Sequence, residues 1–302
     1  MRFGRWPALS AAALVAAALV AAIGLRGAFR IDRNQAAEPM SDLAVHRDIA
    51  YAPGDRRALD IYAPARPGPP RAVIVYLYGG AWTSGAKAQY AWVGAGLARQ
   101  GYVAVIPDYR IYPPATWPSF LQDSARALAF VKAHIAQYGG DPAKLVLVGH
   151  SSGAFNALSL AVEPRWLDEA GLDARRDLKA VIGLSGVYNM LPLHGENENA
   201  IFAPSTGYAE MKHHVDGKSP PLLLLVGAAD RIAGREESEQ MAARVREKGG
   251  AAELIVYPGL QHDDTQAAFG KAQDAPPTTI RADIARFLAA QGVNLTQAAP
   301  GS

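Results

Sequence analysis

Residues 145–155 read LVLVGHSSGAF, an apolar run followed by two serines and the start of a second apolar stretch. Only Ser151 has a glycine two positions before it and two positions after it. This G-x-S-x-G frame is typical of a sharp strand-to-helix turn that lifts a serine above a sheet edge, where a Cβ on either glycine would clash. We therefore predict that Ser151 is a nucleophile and that the backbone N–H of Ser152 faces a developing oxyanion. The alternative is a plain turn between a strand and a helix.

Apolar runs and helical patterns alternate on both sides of this turn. Strand-like runs lie at residues 71–78, 102–107, 145–149, 180–185, 222–226 and 252–257, and helical patterns at 120–138, 152–162, 236–248 and 278–291. Residues 45–51 and 56–62 flank Pro53-Gly54 and predict an antiparallel hairpin. Asp141-Pro142 predicts a turn before the run at 145–149. The alternation predicts an α/β fold with a mostly parallel central sheet and helices on both faces.

A serine hydroxyl needs a base to become a useful nucleophile. His262 lies in VYPGLQHDD, after the last predicted strand, in the order Ser…Asp/Glu…His. Asp230 ends LLLLVGAAD at a strand's carboxyl edge, where it can orient the imidazole. Asp263 and Asp264 are the alternative acids, although they adjoin His262 and are poorly placed to face its ring. The competing interpretations are a surface-loop histidine and a helix N-cap aspartate.

The composition excludes several classes of site. The chain of 302 residues has no cysteine, so it has no disulfide, no cysteine nucleophile and no thiolate metal site. Its formal net charge of +2 reflects arginines near the N-terminus, and we see no basic stripe that indicates nucleic-acid binding. His213-His214 is either a metal pair or, as we prefer, two surface residues. We expect no metal and no organic cofactor.

The two ends of the chain differ from its middle. Residues 8–25 are uncharged and are flanked by arginines, which predicts that residues 1–30 are a signal peptide or an N-terminal membrane anchor. The protein is then exported or membrane-anchored, with membrane contact through this segment; the alternative is a buried helix. Residues 31–44 are predicted to be a linker, residues 45–292 the catalytic domain and residues 293–302 a flexible tail.

Several motifs, in order, resemble those of α/β-hydrolases of the carboxylesterase/lipase type. The chain is especially similar to bacterial esterases related to hormone-sensitive lipase, to feruloyl-esterase-like proteins and to arylformamidases. The matching segments are YLYGGAWTSG (76–85), VIPDYRIYP (105–113), FLQDSARALAFVKAHIAQYGGDPAKLVLVGHSSG (120–153), PPLLLLVGAAD (220–230) and YPGLQHDD (257–264).

The resemblance assigns roles to further residues. It implies that Gly80, Ala81 and Ser152 supply oxyanion N–H groups, and that Asp108 and Arg110 brace the oxyanion-loop region. The one plain departure is Tyr78, which stands where the family usually has histidine.

The resemblance implies a serine carboxylesterase that forms an acyl-enzyme on short-chain or aromatic esters. The insertions at residues 163–179 and 191–220 are too short for a large lid, so we expect a small or absent cap. Trp82 and Trp117 either line the substrate pocket or pack in the interior. The alternatives are an arylformamidase or amidase with the same triad, and an inactive binding module with the hydrolase fold. The sequence leaves the oligomeric state open.

Overall fold

The computed structural model describes residues 40–189, 193, 196–202, 210–270 and 279–294. The predicted export segment at residues 1–30, most of the predicted linker and most of the predicted tail lie outside these ranges. Those boundaries and the localisation therefore stay predictions. Within the described ranges, no helix has both the length and the apolar character needed to cross a membrane.

The predicted hairpin and the mostly parallel sheet are confirmed. The strands are β1 (Leu43–Ala50), β2 (Ala58–Pro64), β3 (Arg71–Leu77), β4 (Val103–Pro107), β5 (Gly140–His150), β6 (Leu178–Leu184), β7 (Leu222–Gly227) and β8 (Ala252–Tyr257). The described strands form one eight-stranded sheet in the order β1-β2-β4-β3-β5-β6-β7-β8. The β1–β2 and β2–β4 pairs are antiparallel, and all pairs from β4 to β8 are parallel.

Helices cover the sheet on both faces. The helices are α1 (Ala91–Arg99), α2 (Ser119–His134), α3 (Ser152–Val162), α4 (Arg165–Asp168), α5 (Ala174–Asp177), α6 (Glu196–Phe202), α7 (Arg235–Glu247), α8 (Asp264–Ala267) and α9 (Thr279–Ala290). Successive side chains of a strand point to opposite faces, and all residues of β4 and β7 are buried. Both faces of the central sheet are therefore covered, which gives the α/β-hydrolase layering that the sequence predicts.

The start of β5 corrects one prediction. The strand begins at Gly140, whereas the sequence predicts a turn at Asp141-Pro142. Gly140 pairs with Arg71 while Leu145 pairs with Val73, so the extra residues of β5 form an irregularity in the register. Only the part of β5 from Leu145 onward is continuously buried. The half-buried polar residues Asp141 and Lys144 thus belong to the start of the strand.

A buried carboxylate on α2 binds arginines from the β1–β2 turn and from the segment after β4. Asp123 on α2 is fully buried and accepts hydrogen bonds from Arg57 Nε at 3.2 Å and from Arg110 Nε and Nη2 at 2.6 and 3.0 Å. The backbone N–H of Arg110 also donates to it at 3.1 Å. Arg110 is thus a structural residue, as the resemblance implies, but its contacts run to α2.

This arrangement predicts the effect of removing the carboxylate. Asp123→Ala leaves Arg57 and Arg110 without their shared anion, and losing one partner of a buried ion pair is strongly destabilising. We expect the free energy of unfolding to fall by about 3 kcal/mol, measured by urea denaturation. Asp55→Ala, at an exposed position in the hairpin turn, should change it by less than about 0.5 kcal/mol. Equal stabilities of the two variants would contradict this role for Asp123.

Candidate active site

The turn after β5 has the sharp geometry that its glycine frame indicates. Ser151 adopts φ 54° and ψ −124°, a backbone conformation that is strained for any residue with a side chain. Its N–H donates to the carbonyl oxygen of Leu184 at the end of β6, with an N–O distance of 2.9 Å. Helix α3 begins at the next residue. Ser151 therefore stands between a strand and a helix at the carboxyl edge of the sheet.

Close contacts between backbones explain the glycines around Ser151. A Cβ on Gly149 would overlap the carbonyl oxygen of Gly153, and a Cβ on Gly153 would overlap the carbonyl oxygen of Leu77 at the end of β3. A Cβ on Gly79 would lie 2.9 Å from the Cβ of Ser151. The turn is therefore packed directly against the loop that follows β3.

The structure brings His262 and Asp230 together. Nδ1 of His262 lies 3.0 Å from Oδ2 and 3.2 Å from Oδ1 of Asp230, and both side chains are buried. Because a carboxylate only accepts, Nδ1 carries the proton and Nε2 keeps its lone pair. Nε2 is buried and has no hydrogen-bond partner among the described residues. It is therefore free to accept a proton.

Asp230 is held as an anion. Its Oδ1 also accepts hydrogen bonds from the backbone N–H groups of Ile232 and Ala233, at 2.9 and 3.0 Å. Burial raises the pKa of this carboxyl, but the hydrogen bonds from His262 and the two N–H groups outweigh burial and hold the pKa below its usual range. The carboxylate can therefore orient the imidazole and stabilise its protonated form.

Neither alternative acid makes a hydrogen bond to the His262 ring among the described residues. Asp263 accepts a hydrogen bond from Gln266 Nε2 at 3.0 Å, and Asp264 accepts one from the backbone N–H of Gln261 at 2.7 Å. The described residues contain no group of three side chains arranged to hold a metal ion.

The loop after β3 presents unpaired backbone donors. Gly80, Ala81 and Trp82 all have positive φ, at 131°, 49° and 55°. Within the described part of the chain, the N–H groups of Gly80, Ala81 and Ser152 make no hydrogen bond to protein. Strained backbone beside a nucleophile candidate, with free N–H groups, is the arrangement expected of an oxyanion hole.

Tyr78 braces this loop from beneath. Its hydroxyl donates to Asp108 Oδ1 at 2.6 Å and accepts from Arg56 Nη2 at 2.9 Å, and its ring is stacked between Tyr90 and Tyr109. Arg56 Nη2 also donates to the carbonyl oxygen of Gly85 at 2.7 Å. The bracing role implied for Asp108 fits these contacts, whereas sequence reasoning missed Arg56. Arg56 lies in the β1–β2 turn, and nothing in the sequence around it indicates a contact with the loop after β3.

Trp82 packs in the interior. It is 2% exposed, and its Nε1–H donates to Asn156 Oδ1 on α3 at 3.0 Å. The rings of Phe120, Phe155 and Phe202 lie 5.0–5.5 Å from its ring. Of the two alternatives for Trp82, the structure thus favours packing.

Trp117 is half-buried and lies edge-on to Trp166, with ring centroids 5.7 Å apart. Its contacts alone do not assign it to a substrate pocket.

Comparisons with known proteins find relatives that are named as esterases. Probable isoprenylcysteine alpha-carbonyl methylesterase ICMEL1 of Arabidopsis thaliana is 30% identical over an alignment of 244 residues. The alignment covers 73% of this chain and 51% of that protein. Esterase LipQ of Mycobacterium tuberculosis is 29% identical over 68% of this chain and 53% of its own length. The chain thus spans about half the length of these curated relatives.

Solved structures share the fold. Esterase B from Lactobacillus rhamnosis superimposes with a TM-score of 0.77 at 19% identity, over 91% of this chain and 94% of that one. A thermophilic esterase from Thermogutta terrifontis gives 0.67 at 24% identity, over 85% and 95%. At these sequence identities, the similarity of the structures shows the fold alone. The BD-FAE family model matches residues 59–245, more than half of the chain, and the chain therefore belongs to the BD-FAE family of α/β-hydrolases.

Proposed function

We propose that this chain is a serine esterase that hydrolyses short-chain or aromatic carboxylic esters. One observation carries the proposal: a buried Asp230–His262 pair leaves Nε2 of the histidine free, in a fold whose sharp β5–α3 turn carries Ser151. An imidazole with an unpaired Nε2 and an ionised partner can act as a general base. The esterase names of the relatives support the same reaction class.

The reaction follows from these groups. His262 Nε2 takes the proton of Ser151 Oγ while Oγ attacks the ester carbonyl carbon, and the carbonyl oxygen becomes an oxyanion. The N–H groups of Gly80, Ala81 and Ser152 donate to that oxyanion. The intermediate collapses, and the alcohol leaves with the proton from His262. Water then attacks the acyl-enzyme by the same steps, which releases the carboxylic acid and restores Ser151.

The aromatic packing supports small acyl groups. Trp82 directly follows Ala81, and the rings of Phe120, Phe155 and Phe202 pack against its ring. Phe155 lies one helical turn after Ser151 on α3, and Phe202 ends α6, which belongs to the second insertion. A long acyl chain directed from Ser151 toward this cluster would have to displace its rings, whereas an acetyl or butanoyl group is short enough to stop before them.

The two serines should respond differently to substitution. Ser151→Ala removes the nucleophile, and we expect kcat on p-nitrophenyl acetate to fall by at least about 10³-fold. Ser152→Ala keeps the backbone N–H that we assign to the oxyanion hole, so kcat should stay within about tenfold of wild type. Labelling by a fluorophosphonate probe should follow the same order. Similar losses in the two variants would contradict the assignment of Ser151.

The acid assignment can be tested with an isosteric change. Asp230→Asn removes the charge that fixes the His262 tautomer, and such a change costs about 10⁴-fold in kcat in the serine proteases that define the triad. Asp263→Asn and Asp264→Asn, which follow His262 directly in sequence, are matched controls, and we expect less than about tenfold loss in each. The measurement is kcat at pH 8 for proteins with equal melting temperatures. A larger loss at position 263 or 264 than at 230 would reassign the acid.

Acyl length tests the substrate class. We expect kcat/KM for p-nitrophenyl acetate and butanoate to exceed that for the dodecanoate by at least tenfold, since each CH₂ that the site cannot accommodate costs roughly 1 kcal/mol or more. Phenyl acetate and N-formylkynurenine, assayed beside them, distinguish an esterase from an arylformamidase. A preference for dodecanoate would contradict the short-acyl proposal, and a higher kcat/KM on N-formylkynurenine would favour the amidase alternative.

A further inference from the structure

The histidine that precedes Ser151 is joined to the loop that carries His262. His150 ends β5 and is 2% exposed, and its Nε2 lies 3.0 Å from the backbone carbonyl oxygen of His262. A carbonyl oxygen only accepts, so Nε2 must carry the proton and donate it. Nδ1 is then the unprotonated nitrogen; it is buried and has no hydrogen-bond partner among the described residues.

The ring of His150 touches three parts of the candidate site. His150 directly precedes Ser151 in the chain. Its centroid lies 4.9 Å from that of the His262 ring. Its Nδ1 packs under the loop after β3, where a Cβ on Gly79 would lie only 3.1 Å away. One side chain thus fills the space between the serine turn, the loop with the free N–H groups and the histidine loop.

The surroundings keep this ring neutral. The titratable groups that face it are His262, Asp230 and Asp263, whose Oδ1 is 3.9 Å from His150 Nε2 and outside hydrogen-bond range. Burial and the neighbouring His262 lower the pKa of His150 to about 3. The ring therefore acts as a neutral donor and adds no positive charge beside an imidazole that has to accept a proton.

We propose that His150 is a positioning residue for His262, an inference that rests on the proposed function. Asp230 holds the ring of His262 at Nδ1, but contacts at this one ring atom leave the ring free to pivot about it. The His150 hydrogen bond fixes the backbone of residue 262 relative to the serine turn. The only other side-chain donor to that carbonyl among the described residues is Thr265 Oγ1, at 3.4 Å. Two fixed points, ring and backbone, define where Nε2 lies relative to Ser151 Oγ.

Two substitutions separate the hydrogen bond from the packing. His150→Phe keeps a planar ring but removes the donor, and a small displacement of a catalytic group can cost about 10²-fold. We expect kcat on p-nitrophenyl acetate to fall about 10- to 100-fold with KM within about twofold. His150→Gln places an amide N–H near the position of Nε2 and should restore kcat to within about fivefold of wild type. His46→Phe, at an exposed position on β1, is the control and should leave kcat unchanged.

If His150 had only a structural role, His150→Phe and His150→Gln would both lower the stability of the protein, and glutamine would not restore kcat. Wild-type kcat in His150→Phe, or equal losses in His150→Phe and His150→Gln at equal melting temperatures, would overturn the proposal. If His150→Phe does not fold, ¹⁵N NMR of the histidine-labelled native protein at pH 7.5 decides, because the proposal requires the Nε2-protonated tautomer at His150 and fails with the Nδ1-protonated one. Ser151→Ala activity equal to wild type would instead overturn the proposed function, whichever tautomer His150 has.

Discussion

The candidate site depends on a steric constraint: three backbones meet where only hydrogen atoms fit between them. The end of β3, the end of β5 and the start of α3 approach so closely that Gly149 and Gly153 cannot carry a Cβ. At this contact Ser151 has a positive φ, and its Cβ lies against Gly79. The proposed nucleophile and the proposed oxyanion donors are therefore neighbours because of backbone packing, before any side-chain interaction is considered.

Strained backbone persists only where its surroundings hold it in place. The Ser151 turn is tied to β6 by the hydrogen bond to Leu184, and the loop after β3 is held through Tyr78. None of these contacts uses the N–H groups of Gly80, Ala81 or Ser152. The fold thus holds the strained turn and the loop in place while leaving unpaired the N–H groups that a reacting oxyanion would need.

Strands and helices with a strong local pattern could be predicted from the sequence. Their apolar residues recur with the spacing of a strand or a helix, and turn-forming residues mark their ends. Helix α1 could not be predicted in this way, because Gly94 and Gly96 weaken its helical pattern of residues. A Cβ on Gly94 would overlap the Tyr62 ring, and one on Gly96 would overlap the carbonyl oxygen of Phe269. These two glycines are therefore explained by tertiary packing and not by local sequence. The contacts of His150 were missed in the same way, because its partner is a backbone carbonyl more than a hundred residues away.

Tyr78 shows why a departure from a family pattern need not weaken a site. A phenol has the reach to bond Asp108 and Arg56 while its ring stays between Tyr90 and Tyr109. Burial, together with Tyr109 and Asp108, raises the pKa of Tyr78 well above its usual value, so the hydroxyl remains a donor to Asp108 throughout the range in which an esterase works. A histidine at this position can change its charge near neutral pH, and its hydrogen bonds would change with it. The tyrosine therefore keeps the same hydrogen-bond donor under the loop at pH values where a histidine would change its charge, so this contact of the brace is preserved while the proposed base takes and gives its proton.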